Sequence, residues 1–373
     1  MDMIKRNGGP FAPHDKSRRA FLTRSASFAG LAATSSLLNP SFARASGTLN
    51  FLTWCDHVDP RMVALYEGKT GNSVQSKIYE GTGAALSIKD QSSKGDWDLF
   101  CVDFQDTPIV AGKGYLAELD DSRVPWDKIF PAIRNQPHSY SADGKLYGIP
   151  TKFGYYGLAY NKDKVDPADA RTAEIMWNEK YKGRIAVYDY YLPIIQLVGL
   201  SQGLRPQDIT VENLPSNIRE PLLKLKPQTR VVGDIVTVLN ALHGGSTDMI
   251  IGGAEWLVAL DMANNPALDF ITFDEGALMW NEALSIFADA RNPEASWAFI
   301  EAALSPEGQR FISTSECAWA NPVRMDAALT AEEAGILRWE EQAKVLERAI
   351  PSSLAGDELD YAMLDLWQEF LAA

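Results

Sequence analysis

Apolar and polar positions alternate in short runs, and the runs are separated by stretches of helical spacing. Thr48–Trp54 alternates and predicts a strand; Pro60–Lys69 carries Met62, Val63, Leu65 and Tyr66 at helical intervals and stops at Thr70-Gly71. Ser73–Tyr79 predicts a second strand, and Gly81-Thr82-Gly83 opens a helix to about Gln91. Asp98–Val102 is apolar without alternation and ends at Asp103, as a strand buried on both faces reads. Two extended pieces follow, Leu146–Pro150 and Thr151–Tyr160, then a loop over 161–169 and a short helix from Ile175 that ends at Gly183. Further strands are predicted at Arg184–Tyr188 and Asp248–Gly253. From Pro293 the spacing is helical, over Glu294–Leu304, Pro306–Ser313, Ala331–Leu346 and Leu359–Leu371, with a capping box of Thr330 and Glu333 before the third. Strands alternating with helices predict an α/β protein whose sheets are mostly parallel.

Between the last strand and the helical region lies the extended stretch Phe270–Phe287. A turn at Glu275-Gly276 precedes Trp280, and Glu282 follows two residues later. On a strand such positions face one side, so an indole and a carboxylate share one space. That pairing suits a cationic amine with an aliphatic body. In open α/β sheets the ligand sits beyond the carboxyl ends of the strands. Those ends carry Trp54 and Asp56, Asp103, Asp189 with Tyr190, Glu255 with Trp256, and Trp280 with Glu282. The recurrence of acid and aromatic at one edge predicts a cation site.

Composition narrows the classes. The 373 residues allow two domains, and 46% apolar with 23% charged residues is ordinary for a globular protein. Residues 1–45 hold seven Lys/Arg against two Asp, a balance of +5, so the remainder carries −19 of the net −14. So acidic a body has no basic stripe for nucleic acid and is repelled by an anionic membrane surface. Cys55, Cys101 and Cys317 have no metal-ligand spacing; one disulfide with one free thiol, or none, is compatible with the set, and a bond between Cys55 and Cys101, both near strand ends, stays open. His57 beside Asp56 is expected at the rim of the site. Of the adjacent pairs Tyr155-Tyr156 and Tyr190-Tyr191, one member each is expected in the core.

Ser17-Arg18-Arg19-Ala20-Phe21-Leu22 matches a twin-arginine export signal; a small-sided apolar run from Ala26 to Leu38 and an Ala43-Arg44-Ala45 cleavage site follow. Residues 1–45 are therefore read as a cleaved signal, and the mature chain as periplasmic.

Five phrases in order resemble the spermidine/putrescine-binding group of the solute-binding proteins of ABC importers. They are Phe51–Asp56, Asp96–Val102, Tyr147–Gly154 with Leu158–Asn161, Met176–Gly183, and Glu275–Glu282. The resemblance implies the two-lobed fold of periplasmic binding proteins (type II), each lobe a mostly parallel sheet flanked by helices, with the ligand in the cleft between them. Lobe 1 is expected over 46–152 with about 284–325, and lobe 2 over 153–283 with about 326–373. It implies ligand-binding roles for Trp54, Asp56, Trp280 and Glu282, and for Phe153 on the crossing strand. Asp103, Asp189 and either Glu255 or Trp256 are added by position, and Gly253 stands where many of the group have Trp. The expected partners are a small cationic ligand, a polyamine first, and a membrane permease; no cofactor, no metal and no nucleic acid are expected, and the chain is expected to be monomeric. Two other cargoes stay open: a zwitterion such as an aminophosphonate or amino acid derivative, its anion at Gly81–Gly83, and Fe(III) held by tyrosines. An exported enzyme is the reading from another class, and no GxGxxG, HExxH or GxSxG supports it.

Overall fold

The computed structural model describes residues 47–79, 81–136 and 144–373, so the export signal lies outside the described residues. Those residues belong to one unit, Arg44–Ala373. Eleven strands pair in the order β2-β1-β3-β9-β4-β7-β5-β6. At one end β1 (Thr48–Thr53) lies parallel to β2 (Ser73–Ile78) and to β3 (Leu99–Asp103). At the other, β5 (Ile185–Tyr188) lies parallel to β6 (Thr229–Gly233) and β7 (Met249–Gly253). Each parallel set comes from strand–helix–strand units, as the alternating pattern predicts.

Two long antiparallel strands join the ends. β4 runs over Ile149–Asn161 and β9 over Ala277–Ile286. The first part of β4 pairs with β9 and the last part with β7 and with β8 (Leu268–Ile271). β9 in turn pairs through residues 282–286 with β3. Both strands therefore change partners along their length, and the two parallel sheets hang from them. The rest of the sheet is made by two short strands, β10 (Asn321–Pro322) on β4 and β11 (Ala349–Pro351) on β9.

Apolar clusters cover both sheets, and one of them runs from Phe51 and Leu99 across β4 and β9 to Ala186 and Ile250 of the second. Phe51, Tyr66 and Phe299 pack with ring centroids 5.0 and 5.3 Å apart on one side of the first sheet. Leu158, Ile185, Val187, Ile194 and Trp367 belong to a separate apolar cluster about the second. Each fully buried large side chain contributes roughly 1.5–3 kcal/mol, so each sheet has enough apolar burial to tolerate the polar groups at its edge.

Three expectations about elements need correction. The two extended pieces at 146–160 are one strand with an irregularity at Thr151, where the register with β9 slips between Pro150 and Lys152. Ala331–Leu346 is two helices, Ala331–Ile336 and Gln342–Glu347, because Arg338 takes a left-handed conformation (φ 51°). Its guanidinium is held there by Phe270 O and Asp269 and stacks 4.4 Å from the Phe270 ring. The short helix after Ile175 is a pair of tight 3₁₀ turns, Ala173–Trp177 and Glu179–Tyr181. The capping box of Thr330 and Glu333 is present.

Candidate functional site

Strand register puts the acidic positions side by side. Asp103 on β3 lies opposite Glu282 on β9, which lies opposite Lys152 on β4. Paired residues point to the same face, so a carboxylate, a second carboxylate and an ammonium form one row. Two residues along, Trp280 faces Gly154. A Cβ at 154 would overlap both the Trp280 ring and the Glu255 carboxylate, so the indole lies flat where a larger residue would stand. Trp280 and Glu282 share a side, as expected from their spacing.

Behind this row is an inner polar group, almost closed to water. Asp56 is 3% exposed and Lys152 is 1% exposed, and they are ion-paired. Asp56 Oδ1 also takes His57 Nδ1 at 3.0 Å and the His57 backbone N–H at 2.9 Å. His57 Nε2 is 2.8 Å from Thr151 Oγ1, whose hydroxyl donates to Glu282 O at 3.3 Å. Burial alone would push the Asp56 carboxyl up, but Lys152 and then His57 hold it far below the usual carboxylate range. Glu282 is pushed the other way, by burial first and by the Asp56 charge second. Its Oε2 has no hydrogen-bond partner and stands 3.6 Å from His57 Nδ1. Cys101 Sγ is 3.5 Å from the same nitrogen, and burial raises its thiol. His57, Cys101 and Glu282 thus offer ligand atoms within 4.8 Å of one another. Both ring nitrogens, however, already face hydrogen-bond partners, so the trio packs as a polar core. His57 is fully buried, which corrects the expectation of a rim position.

In front of the row lies an outer acidic pair. Asp103 is pushed up to about 8 by burial and by its neighbour Asp106, against a hydrogen bond from Thr82. Asp106 is pushed up to about 6, again by burial. Asp106 Oδ1 and Trp54 Nε1 are buried atoms without a partner among the described residues. From the second sheet come four aromatic rings, of which Tyr156 and Tyr190 lie near this pair. Tyr156 on β4, Tyr188 at the end of β5, Tyr190 just beyond it and Trp256 on helix Glu255–Met262 meet in a closed circuit. Centroids are 6.5 Å apart for Tyr156–Tyr190, 6.1 Å for Tyr190–Tyr188, 5.3 Å for Tyr188–Trp256 and 6.5 Å for Trp256–Tyr156. Every contact is edge to face. Burial raises the Tyr156 and Tyr190 phenols, and the nearby charges of Asp103 and Asp106 raise both further. The charges of carboxylates from one sheet thus reach tyrosines from the other.

Of the residues expected at the site, Trp54, Asp56, Asp103, Trp256, Trp280 and Glu282 come together. Trp54 packs 5.6 Å from Tyr79 at the same edge. Glu255 lies beneath Trp280, fully buried and pushed up to about 8 by burial; its Oε1 accepts from Tyr155 N at 3.0 Å. Trp256 Nε1 donates to Tyr155 O at 3.1 Å, which aims its ring at the circuit. Two residues do not join. Phe153 is fully buried between Phe130 and Tyr155, on the face of β4 opposite Lys152 and Tyr156, because period-two alternation sends it there. Asp189 is exposed and accepts from Trp367 Nε1 at 2.9 Å. The expectation of one core member per tyrosine pair is not met: Tyr155, bonded to Gln342, and Tyr156, in the aromatic circuit, are both buried, and Tyr190 and Tyr191 are both half-buried. Lys152 and Asp106 escaped the sequence reading. The signal for Lys152 was a lone charge in an otherwise apolar strand, and for Asp106 a second acid three residues past a strand end.

Two sheets joined by crossing strands, with a polar and aromatic seam between them, define a two-lobed binding protein. The profile of bacterial extracellular solute-binding proteins matches residues 61–334, and the chain belongs to that family. It is 24% identical over 281 residues to the spermidine/putrescine-binding periplasmic protein of Escherichia coli K12, covering 74% of this chain and 79% of that one. The putrescine/agmatine-binding protein of Pseudomonas aeruginosa is 23% identical over 279 residues, 70% and 75% of the two chains. The fold is similar to that of the spermidine/putrescine ABC transporter substrate-binding protein PotD from Streptococcus pneumoniae, with a TM-score of 0.74 at 18% identity over 88% of this chain and 99% of that one.

Proposed function

We propose that the chain is the substrate-binding component of an ABC importer and that it captures a small cationic amine in the seam between its two sheets, without chemical change. The observation that carries this is the outer pair, Asp103 and Asp106, set against Tyr156 and Tyr190 with Asp106 Oδ1 unpartnered. A buried carboxylate oxygen without a partner is costly, and an organic ammonium supplies both the charge and the hydrogen bond. The names of the relatives make polyamines the first cargo to test. A ligand touching both sheets stabilises the closed arrangement by its differential affinity, and the closed form is what a permease would recognise. We place the lobe boundaries at the crossings, near residues 152–153 on β4 and 283–284 on β9, the signal at residues 1–45 and the mature chain, as a single copy, in the periplasm after twin-arginine export.

A zwitterionic cargo is the second reading. Helix Thr82–Asp90 begins at Gly81, and Thr82 Oγ1 lies 3.4 Å from Asp103 Oδ2, so a helix N-terminus stands beside the acidic pair. A thermal-shift screen separates the cargoes. Putrescine, spermidine, agmatine, amino acids, aminophosphonates and Fe(III) are added one at a time; amines are expected to raise the melting temperature. If only a neutral or anionic compound does so, the cationic reading fails.

A further inference from the structure

The two acidic groups at the seam are not equivalent, and the difference limits the charge of the cargo. The inner group has its own cation: Lys152 reaches Asp56 from the crossing strand and also donates to Ala318 O at 3.5 Å. It is buried there and paired across the strands with Glu282. His57 lies between Asp56 and Glu282, 3.0 Å from one and 3.6 Å from the other. Asp56 and Lys152 cancel, and burial with the Asp56 charge beside it favours the neutral form of Glu282, so the inner group already holds the cation it needs.

The outer group has no such cation. Asp103 and Asp106 lie by each other and by Thr82, with the Tyr156 and Tyr190 phenols near; among the described residues no Lys or Arg influences them. Burial raises both carboxyls, and Asp106 raises Asp103 further, so the pair favours sharing a proton over carrying two charges beside Tyr156 and Tyr190. With neighbouring centroids 5.3–6.5 Å apart, a cation among the rings lies within the roughly 6 Å over which a ring face attracts it.

Resting on the cationic reading above, we infer that the cargo carries a single ammonium head, held by Asp103 and Asp106 against Tyr156, Tyr188, Tyr190 and Trp256, while Lys152 fills the place beside Asp56 and Glu282 where a second ammonium would bind. The cargo is a monoamine or N-alkylated ammonium, and a diamine gains little from its second charge. A second ammonium that found its own carboxylate would tighten binding by roughly 10- to 150-fold.

Isothermal titration of the full mature chain with butylamine, choline, putrescine and spermidine tests this. Putrescine is expected to bind less than tenfold more tightly than the better of butylamine and choline, and Asp106→Asn to weaken all four. A putrescine advantage of tenfold or more in the native protein overturns the single-head assignment and leaves the cationic reading standing. If none of the four binds, the cationic reading itself fails and this inference with it. Lys152→Met provides a second measure where it folds: the putrescine advantage should rise by tenfold or more, and an unchanged ratio counts against a filled second place.

Discussion

Asp103 and Asp106 are ionisable groups raised by folding from an ordinary value of 3.8 to about 8 and about 6. A raised carboxyl binds its proton more tightly in the folded chain than in the unfolded one. The folded state therefore holds more protons between pH 4 and pH 8, and stability falls as pH rises through that window. The melting temperature of the empty protein should decline across it, and Asp103→Asn should flatten the decline. An equal slope in the variant would mean that other groups set the pH dependence. The same protons compete with a bound cation, so affinity for an amine should increase over the same range. The partner of Asp56 could not be read from its neighbourhood in the chain, because Lys152 is 96 residues away. A buried pair of that kind is decided by strand register, and register depends on the irregularity at Thr151.

Among the elements, β4 carries the most information per residue. Lys152, Gly154 and Tyr156 point to one face and meet in turn the inner acids, Trp280 and the aromatic circuit. Gly154→Ala should force the Trp280 indole from its place and cost about 1–3 kcal/mol by overpacking. Urea denaturation measures the loss, and a changed tryptophan emission spectrum should accompany it; an unaltered spectrum would show that the ring is not seated on Gly154. The inner strands of both sheets were legible because their apolar runs are bounded by turns and end in acids or aromatics, whereas the half-buried edge strand β6 (Thr229–Gly233) has no such run. Phe153 was not correctly placed, since a family phrase names the residue and alternation decides its direction. The break at Arg338 escaped as well. It depends on contacts with Asp269 and Phe270, far back in the chain, against a local spacing that reads as unbroken helix.

At the scale of the whole molecule, the disulfide joins Cys55, next to Trp54 and Asp56, to Cys317, leaving Cys101 free and buried. The sequence left the pairing open, because three cysteines and no CxxC spacing do not choose a partner. The segment after Cys317 carries Ala318, which touches Lys152, so the bond fastens a late stretch of chain over the inner polar group. Removing it with Cys55→Ser and Cys317→Ser together should lower stability by roughly 2–5 kcal/mol. The native protein should show a comparable drop in melting temperature on full reduction. Equal melting with and without reductant would mean that packing alone holds this edge.

The two sulfurs are 262 residues apart in the chain. A ribosome must have passed position 317 before the bond can form at all, so the front of the molecule stays chemically unsealed while it is being made. If a folded chain is what crosses the membrane, its last covalent step is left to whichever side supplies the oxidant, and a trapped thiol count before and after crossing would tell which.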